Sequence, residues 1–309
     1  MPVAPGSAAS SRRLQAGGRV LALGARPWLM GIVNASPDSF SDGGRHPTLE
    51  DQLRLARQLC AAGAEMLDIG GESASTRRPP IGAEEECERV VPLIERARAE
   101  LGVIISVDTY KPEVARAAIA AGASIVNDVS GLRDPELARV CARSGAALVL
   151  MHTRAAPRER MQDPDLYGDI VEEVLGFLRE RMQLALDAGV AREQLIVDPG
   201  PDFAKTPAQT VDLLARAERL HELGRPLLMA VSRKDFIGAL TARPPSERLA
   251  GTLAALAHGL DVGASIFRVH DIAAASDYVR VRAALSGACP PPRDLALRED
   301  LRHEAAVRR

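Results

Sequence analysis

Seven times along this chain a glycine closes a helix-like stretch and is followed at once by a short run rich in Val, Ile and Leu. Gly63 leads into residues 66–69, Gly102 into 103–108, Gly122 into 124–127 and Gly145 into 147–151; Gly189, Gly224 and Gly263 lead into 195–198, 226–231 and 266–269. Glycine takes the left-handed conformation that ends a helix without a Cβ penalty, so each instance reads as helix stop, tight turn, strand start. Residues 29–33 add an eighth strand.

The segments between these runs carry helical patterning. In 48–62, Thr48 stands at an N-cap with Asp51 at the capping-box position, and Leu49, Leu53, Ala56 and Cys60 share one stripe. Strand and helix therefore alternate, and strands apolar on nearly every residue are buried on both faces, as parallel strands are under covering helices. An open doubly wound sheet is the rival. Eight even units without a G-x-G-x-x-G after the first strand favour closure, so the expected fold is α/β, a (β/α)₈ TIM barrel.

A barrel of about 250 residues fits a chain of 309 that is 46% hydrophobic and 26% charged. The expected division is a flexible tail over 1–20, one catalytic barrel over 21–286 and a flexible tail over 287–309. A formal net charge of −2 gives no basic field for nucleic acid or an anionic membrane, which leaves a small-molecule partner. Cys60, Cys87, Cys141 and Cys289 show no C-x-x-C spacing, and no leader-like or membrane-spanning apolar run occurs, so a cytoplasmic protein is expected. Long loops over 35–47 and 70–84 sit where barrel enzymes carry lids.

Each apolar run ends in polar residues: Asn34, Asp68 and Glu72, Asp108, Asn127 and Asp128, His152, Asp198, Ser232-Arg233-Lys234, then Arg268 and His270. A single Asp, Asn or Ser there is ordinarily a cap or turn residue. Cations beside the positive end of a helix are disfavoured, so Arg233, Lys234, Arg268 and His270 point to a bound anion. The signs divide: carboxylates and an amide on the middle strands, cations on the last two. That suits a bipolar ligand with N–H donors at one end and a phosphate or diphosphate at the other. Asn34, with Ser36 and Asp38, would complete a water-rich Mg²⁺ shell. No zinc spacing, P-loop or G-x-S-x-G is present.

The ordered segments Gly31-Ile32-Val33-Asn34-Ala35-Ser36-Pro37-Asp38-Ser39-Phe40-Ser41-Asp42-Gly43-Gly44, Asp68-Ile69-Gly70-Gly71-Glu72-Ser73, Ser106-Val107-Asp108-Thr109, Asn127-Asp128-Val129-Ser130-Gly131, Met151-His152, Asp198-Pro199-Gly200, Phe203-Ala204-Lys205-Thr206, Ser232-Arg233-Lys234 and Arg268-Val269-His270-Asp271 resemble dihydropteroate synthase, the pterin-binding barrel family of folate biosynthesis. The resemblance implies condensation of 7,8-dihydropterin-6-ylmethyl diphosphate with p-aminobenzoate, by a dissociative path assisted by Mg²⁺, in a homodimer built through helices near the end of the barrel. It implies catalytic roles for Asp108, Lys234, Arg268 and His270 and a metal role for Asn34. Substrate contacts are implied for Asp68, Thr76, Arg77, Asp108, Asn127, Met151, Asp198, Phe203, Lys205, Ser232, Lys234, Arg268 and His270, with Thr76, Arg77, Phe203 and Lys234 around p-aminobenzoate. Sulfonamides, which mimic that substrate, address the same subsite.

The chain departs from the family pattern in its second long loop, where Ala74, Ser75 and a second arginine intervene, so that either Arg77 or Arg78 fills the functional position. It also departs at Pro201-Asp202, at Ala204 in place of glycine, and at Asp235. Asp202 and Asp235 suit a carboxylate-bearing second substrate only if they turn away from it. A pterin-dependent methyltransferase of the same barrel and a non-catalytic paralogue are the competing readings; the first needs neither the loop after Asn34 nor Arg268 and His270.

Overall fold

A computed structural model describes residues 13–24, 26–35, 48–72 and 79–302. After an amino-terminal pair of strands, β1 (Arg13–Ala16) and β2 (Arg19–Ala22), the order is β3 (Trp28–Asn34), α1 (Leu49–Ala61), β4 (Met66–Gly70), α2 (Ala83–Leu101), β5 (Ile104–Asp108), α3 (Pro112–Ala121), β6 (Ile125–Asp128) and α4 (Pro135–Ser144). It continues with β7 (Ala147–Met151), α5 (Ile170–Asp187), β8 (Leu195–Asp198), α6 (Pro207–Ala215), β9 (Leu228–Met229), α7 (Asp235–Thr241), α8 (Leu249–Asp261), β10 (Ile266–Val269) and α9 (Ile272–Leu285). Strands β3 to β10 pair in parallel in the order β8-β7-β6-β5-β4-β3-β10-β9. A parallel bridge between Val197 and Leu227, with the Val197 N–H donating to Pro226 O at 3.0 Å, joins the two ends and closes the barrel.

All eight expected runs form strands, and the seven glycines that announced them have φ between +61° and +124°. The Thr48 capping box forms as expected: Thr48 N–H donates to Asp51 Oδ2 at 2.9 Å and Asp51 N–H to Thr48 Oγ1 at 3.2 Å. The seventh barrel strand is much shorter than the expected run over 226–231, only Leu228–Met229.

Strand side chains alternate sides, and here the alternation places the site. Leu67 and Ile69, Ile105 and Val107, Val126, Leu148 and Leu150 point outward into the main core under the helices. Met30, Met66, Ile104, Ile125, Val149, Ile196, Leu228 and Ile266 point inward and fill the lower barrel. One pleat higher on the same strands stand Asp68, Ser106, Asn127, Met151, Asp198, Ala230 and Arg268. On five of the eight strands, those of Asp68, Ser106, Asn127, Asp198 and Arg268, the barrel interior thus changes from apolar to polar within one pleat.

The expected tail boundary at residue 20 falls inside an antiparallel hairpin, in which Arg13 pairs with Ala22 and Ala16 with Arg19. Gly17 and Gly18, at φ +57° and +75°, make its turn. Leu14, Ala16, Leu21 and Leu23 pack onto the inward apolar layer and close the floor of the barrel. Buried Arg225 ties the hairpin down, donating to Arg13 O at 3.2 Å, Leu195 O at 3.0 Å and Glu193 O at 3.1 Å. Residues 287–302 lie exposed beyond α9.

Leu14 has no exposed surface. Leu14→Ala is therefore expected to lower the free energy of unfolding by about 3 kcal/mol, the cost of a buried leucine cavity, as read from denaturant titration.

Candidate active site

At the carboxyl ends of the strands lies a cavity of about 510 Å³. Its charged centre is the Arg268 guanidinium, whose Nε donates to Asp68 Oδ2 at 2.6 Å and Nη2 to Asp108 Oδ2 at 2.9 Å. Asn127 Nδ2 donates to the same Asp68 oxygen at 3.0 Å. Asp68 has no exposed surface, and its Oδ1 has no hydrogen-bond partner. It sits behind Arg268 and Asn127 and is not among the residues that line the cavity, where direct substrate contact was expected. Asp108, Asn127, Met151, Asp198, Phe203, Ser232, Lys234, Arg268, His270 and Asn34 all line the cavity. The strand ends β3, β5, β6, β7, β8 and β10 and the segments after β8 and β9 bring them together.

Enclosure shapes their protonation. Burial raises the Asp108 carboxyl, opposed by Arg268 and reinforced by Asp68. Burial also lifts Asp198 to about 6, although the Gly200 N–H donates to its Oδ1 at 2.7 Å and Lys234 lies nearby. The Lys234 ammonium is pushed down by burial, against the pull of Asp202 and Asp198. His270 opens onto the cavity mouth, and its imidazole is held below its usual value by enclosure in the cleft and then by the guanidiniums of Arg268 and Arg233. Ser232 Oγ accepts the His270 backbone N–H at 3.2 Å and lies 3.0 Å from Nδ1. With the ring neutral and the hydroxyl donating to Nδ1, the proton sits on Nε2 as a donor.

Several residues singled out in the sequence turn out to be structural. Asp128 accepts the N–H groups of Ser130 and Leu132, at 2.8 and 2.6 Å, and shapes a turn. Arg233 is not aimed at an anion: its Nη2 and Nε bind Asp271 at 2.6 and 3.1 Å. Lys205, expected among the substrate contacts, has no exposed surface and does not reach the cavity. Its Nζ lies 2.8 Å from His152 Nδ1 and donates to Gly200 O at 2.8 Å. Thr76, Arg77 and Arg78 lie outside the described residues, as do Ser36 and Asp38.

The two added acids turn away from the cavity. Asp202 Oδ2 accepts the N–H groups of Asp235 and Phe236, at 2.5 and 3.4 Å, at the start of α7. Asp235 Oδ1 takes Arg248 Nη1 at 3.1 Å. The carboxylates that looked unfavourable beside an anionic substrate are spent on a helix end and an arginine.

Sequence reasoning named Glu72 but passed over the residues that hold it in the cavity wall. Glu72 accepts from Ile81 N at 3.0 Å, Tyr110 OH at 2.7 Å, Arg158 Nη1 at 3.1 Å and Lys111 Nζ at 3.3 Å. These bonds hold its carboxyl below the usual range although burial opposes them. The Tyr110-Lys111 pair directly after Asp108-Thr109 was the available signal. Arg158 is 86 positions from Glu72 and carried none.

A family model for pterin binding enzymes matches residues 30–270. The dihydropteroate synthase of Synechocystis is 43% identical over 264 residues, covering 85% of this chain and 91% of that protein. The chain belongs to the dihydropteroate synthase family, transferases of folate biosynthesis. The Xanthomonas albilineans dihydropteroate synthase with 4-aminobenzoic acid superposes with a TM-score of 0.82 at 46% identity, covering 89% of this chain and 98% of that one. The same protein in complex with 7,8-dihydropteroate gives 0.80 at 45% identity, with coverage of 89% and 98%. The Yersinia pestis dihydropteroate synthase, in a sulfonamide drug complex, gives 0.82 at 36% identity, covering 89% and 99%. Among the described residues no helix is long and apolar enough to cross a membrane.

Asp198 supplies a pH-dependent test. Its folded-state pKa, about 6, lies above the ordinary 3.8. The folded state therefore holds this proton more tightly, and that contribution to stability is complete below 3.8 and lost as pH rises through 6. Asp198→Asn is expected to stabilise the protein by about 3 kcal/mol at pH 8 and by nothing near pH 3.5, as read from denaturant melts.

Proposed function

We propose that this chain joins 7,8-dihydropterin-6-ylmethyl diphosphate to p-aminobenzoate, giving 7,8-dihydropteroate and pyrophosphate. The observation that carries this reading is the division of one cavity into acceptors on β5, β6 and β8 and donors after β9 and on β10. Asp108, Asn127 and Asp198 suit the N–H edge of an aminopyrimidinone ring. Arg268 and the Nε2–H of His270 suit a diphosphate, and Lys234, against the Phe203 ring, borders the space left for the second substrate.

In the reaction the methylene C–O bond to diphosphate breaks, the bond from the p-aminobenzoate nitrogen forms, and the nitrogen releases one proton to solvent. Asp108 offsets positive charge developing on the pterin, and Arg268 and His270 hold the departing diphosphate in place from the start. The amine is already a nucleophile, so no covalent enzyme intermediate is needed. Among the described residues no three His, Cys, Asp or Glu side chains cluster as a metal cage. Asn34 offers one hard amide oxygen at the cavity, which fits a Mg²⁺ ion held mainly by phosphate oxygens and water. When bound, the ion would neutralise charge on the leaving group.

A sulfonamide would compete with p-aminobenzoate, as the Yersinia pestis complex supports for its own site. A homodimer is supported by large apolar side chains exposed around the last helices: Leu240 at 70%, Val281 at 58% and Leu285 at 84%. The free state of all four cysteines supports a cytoplasmic location.

Purified protein with Mg²⁺ and both substrates should release pyrophosphate and dihydropteroate in equal amounts. Binding of the pterin diphosphate by calorimetry without turnover would instead favour a non-catalytic paralogue. Asp108→Asn and Arg268→Ala should each lower kcat by about 10² or more, and a near-parental rate in either would remove its assigned role. Asn34→Ala should raise the Mg²⁺ concentration needed for half-maximal rate.

A further inference from the structure

Lys205 is a buried amine that the proposed chemistry does not use. Its Nζ donates to Gly200 O at 2.8 Å, Phe203 O at 2.9 Å and His152 O at 3.3 Å, and lies 2.8 Å from His152 Nδ1. None of these partners is a carboxylate. A buried ammonium held only by neutral acceptors is costly, and an apolar side chain of similar length would suit the interior better. Burial lowers this amine to about 7. His152 is likewise kept neutral by burial, which leaves Nδ1 as an acceptor for the ammonium.

The bonds converge on one turn. Phe203 stands between two non-glycine residues in the left-handed region, Asp202 at φ +66° and Ala204 at φ +51°. That conformation is unfavourable for residues with a Cβ and persists only where its surroundings enforce it. Gly200, at φ +63°, begins the turn, and any Cβ there would collide with His152 O. Tyr167 OH donates to Ala204 O at 2.9 Å, and Thr210 Oγ1 accepts from Asp202 N at 3.1 Å. Lys205 differs from these in reaching Gly200, Phe203 and the end of β7 at once. The outcome is a Phe203 ring with its centroid 4.3 Å from Lys234 Nζ, at the cavity wall.

We propose that Lys205 is a positioning residue, whose buried ammonium holds the strained Asp202-Phe203-Ala204 turn so that Phe203 stays against Lys234 and sets affinity for the aromatic amine substrate. This rests on the reaction proposed above. The ammonium touches no reacting atom; it acts through the Phe203 ring, which together with Lys234 forms one side of the slot for a planar, anionic aryl group.

The test uses the full chain carrying Lys205→Met, Phe203→Leu, both together, or Ala204→Gly. Lys205→Met should raise the KM for p-aminobenzoate about tenfold, the order of one net hydrogen bond, and leave the KM for the pterin diphosphate within about twofold. Because Lys205 acts through the Phe203 ring, adding Lys205→Met to Phe203→Leu should cost little further. Ala204→Gly relieves the left-handed backbone penalty at the cost of one buried methyl group, so it should melt close to the parent while its KM for p-aminobenzoate rises. An unchanged p-aminobenzoate KM in both Lys205→Met and Ala204→Gly overturns the proposal, as does an equal rise in both substrates' KM or full additivity with Phe203→Leu. Hydrogen–deuterium exchange over residues 199–206 separates this proposal from the reaction itself. If the parent makes no dihydropteroate the reaction fails, yet faster exchange there in Lys205→Met still supports the role of Lys205, and unchanged exchange removes it.

Discussion

The bond of one guanidinium to two carboxylates governs the upper half of this barrel. Asp68 and Asp108 project into the same enclosed space from adjacent strands, and without a cation between them their repulsion and desolvation would oppose folding. Arg268 lies between them because β10 and β4 flank β3 in the sheet, and the curl of the sheet turns their inward side chains toward one another.

Above this pair the surroundings divide the work between fixed and available groups. Asp68 Oδ2 is taken up with Arg268 and Asn127, the Arg233 guanidinium with Asp271, and Asp202 Oδ2 with the first N–H groups of α7. Asp108, Asp198, Lys234 and His270 face the cavity, and each has a pKa displaced in the direction of its neutral form. Groups whose charged forms burial already disfavours exchange partners at lower cost than fully solvated ions. A ligand with matched donors and acceptors therefore gains more from meeting them.

Much of this was legible in the sequence because it follows from local rules. Helix-ending glycines and two-residue strand alternation determine which positions point inward, so Asp108, Asn127, Asp198 and Arg268 were recognisable together. What escaped depended on distant contacts or on brevity. Lys205 sits in a motif beside true cavity residues, and only the fold shows its amine turned toward His152. The contact between Glu72 and Arg158 has no sequence period. The hairpin carried its Gly17-Gly18 turn signal, but strands of four residues in an Ala- and Arg-rich stretch resemble a tail. The short β9 is carried by neighbours on both sides, a tertiary effect that its own apolar run does not report.

The hairpin floor has a kinetic corollary. With Leu14, Ala16, Leu21 and Leu23 stoppering one end, the barrel is a blind well rather than a tunnel. Anything that travels in must travel back out through the same opening. The molecule lodged deepest is necessarily first to arrive and last to depart, so a sequence of arrivals is imposed by the architecture before any chemistry begins.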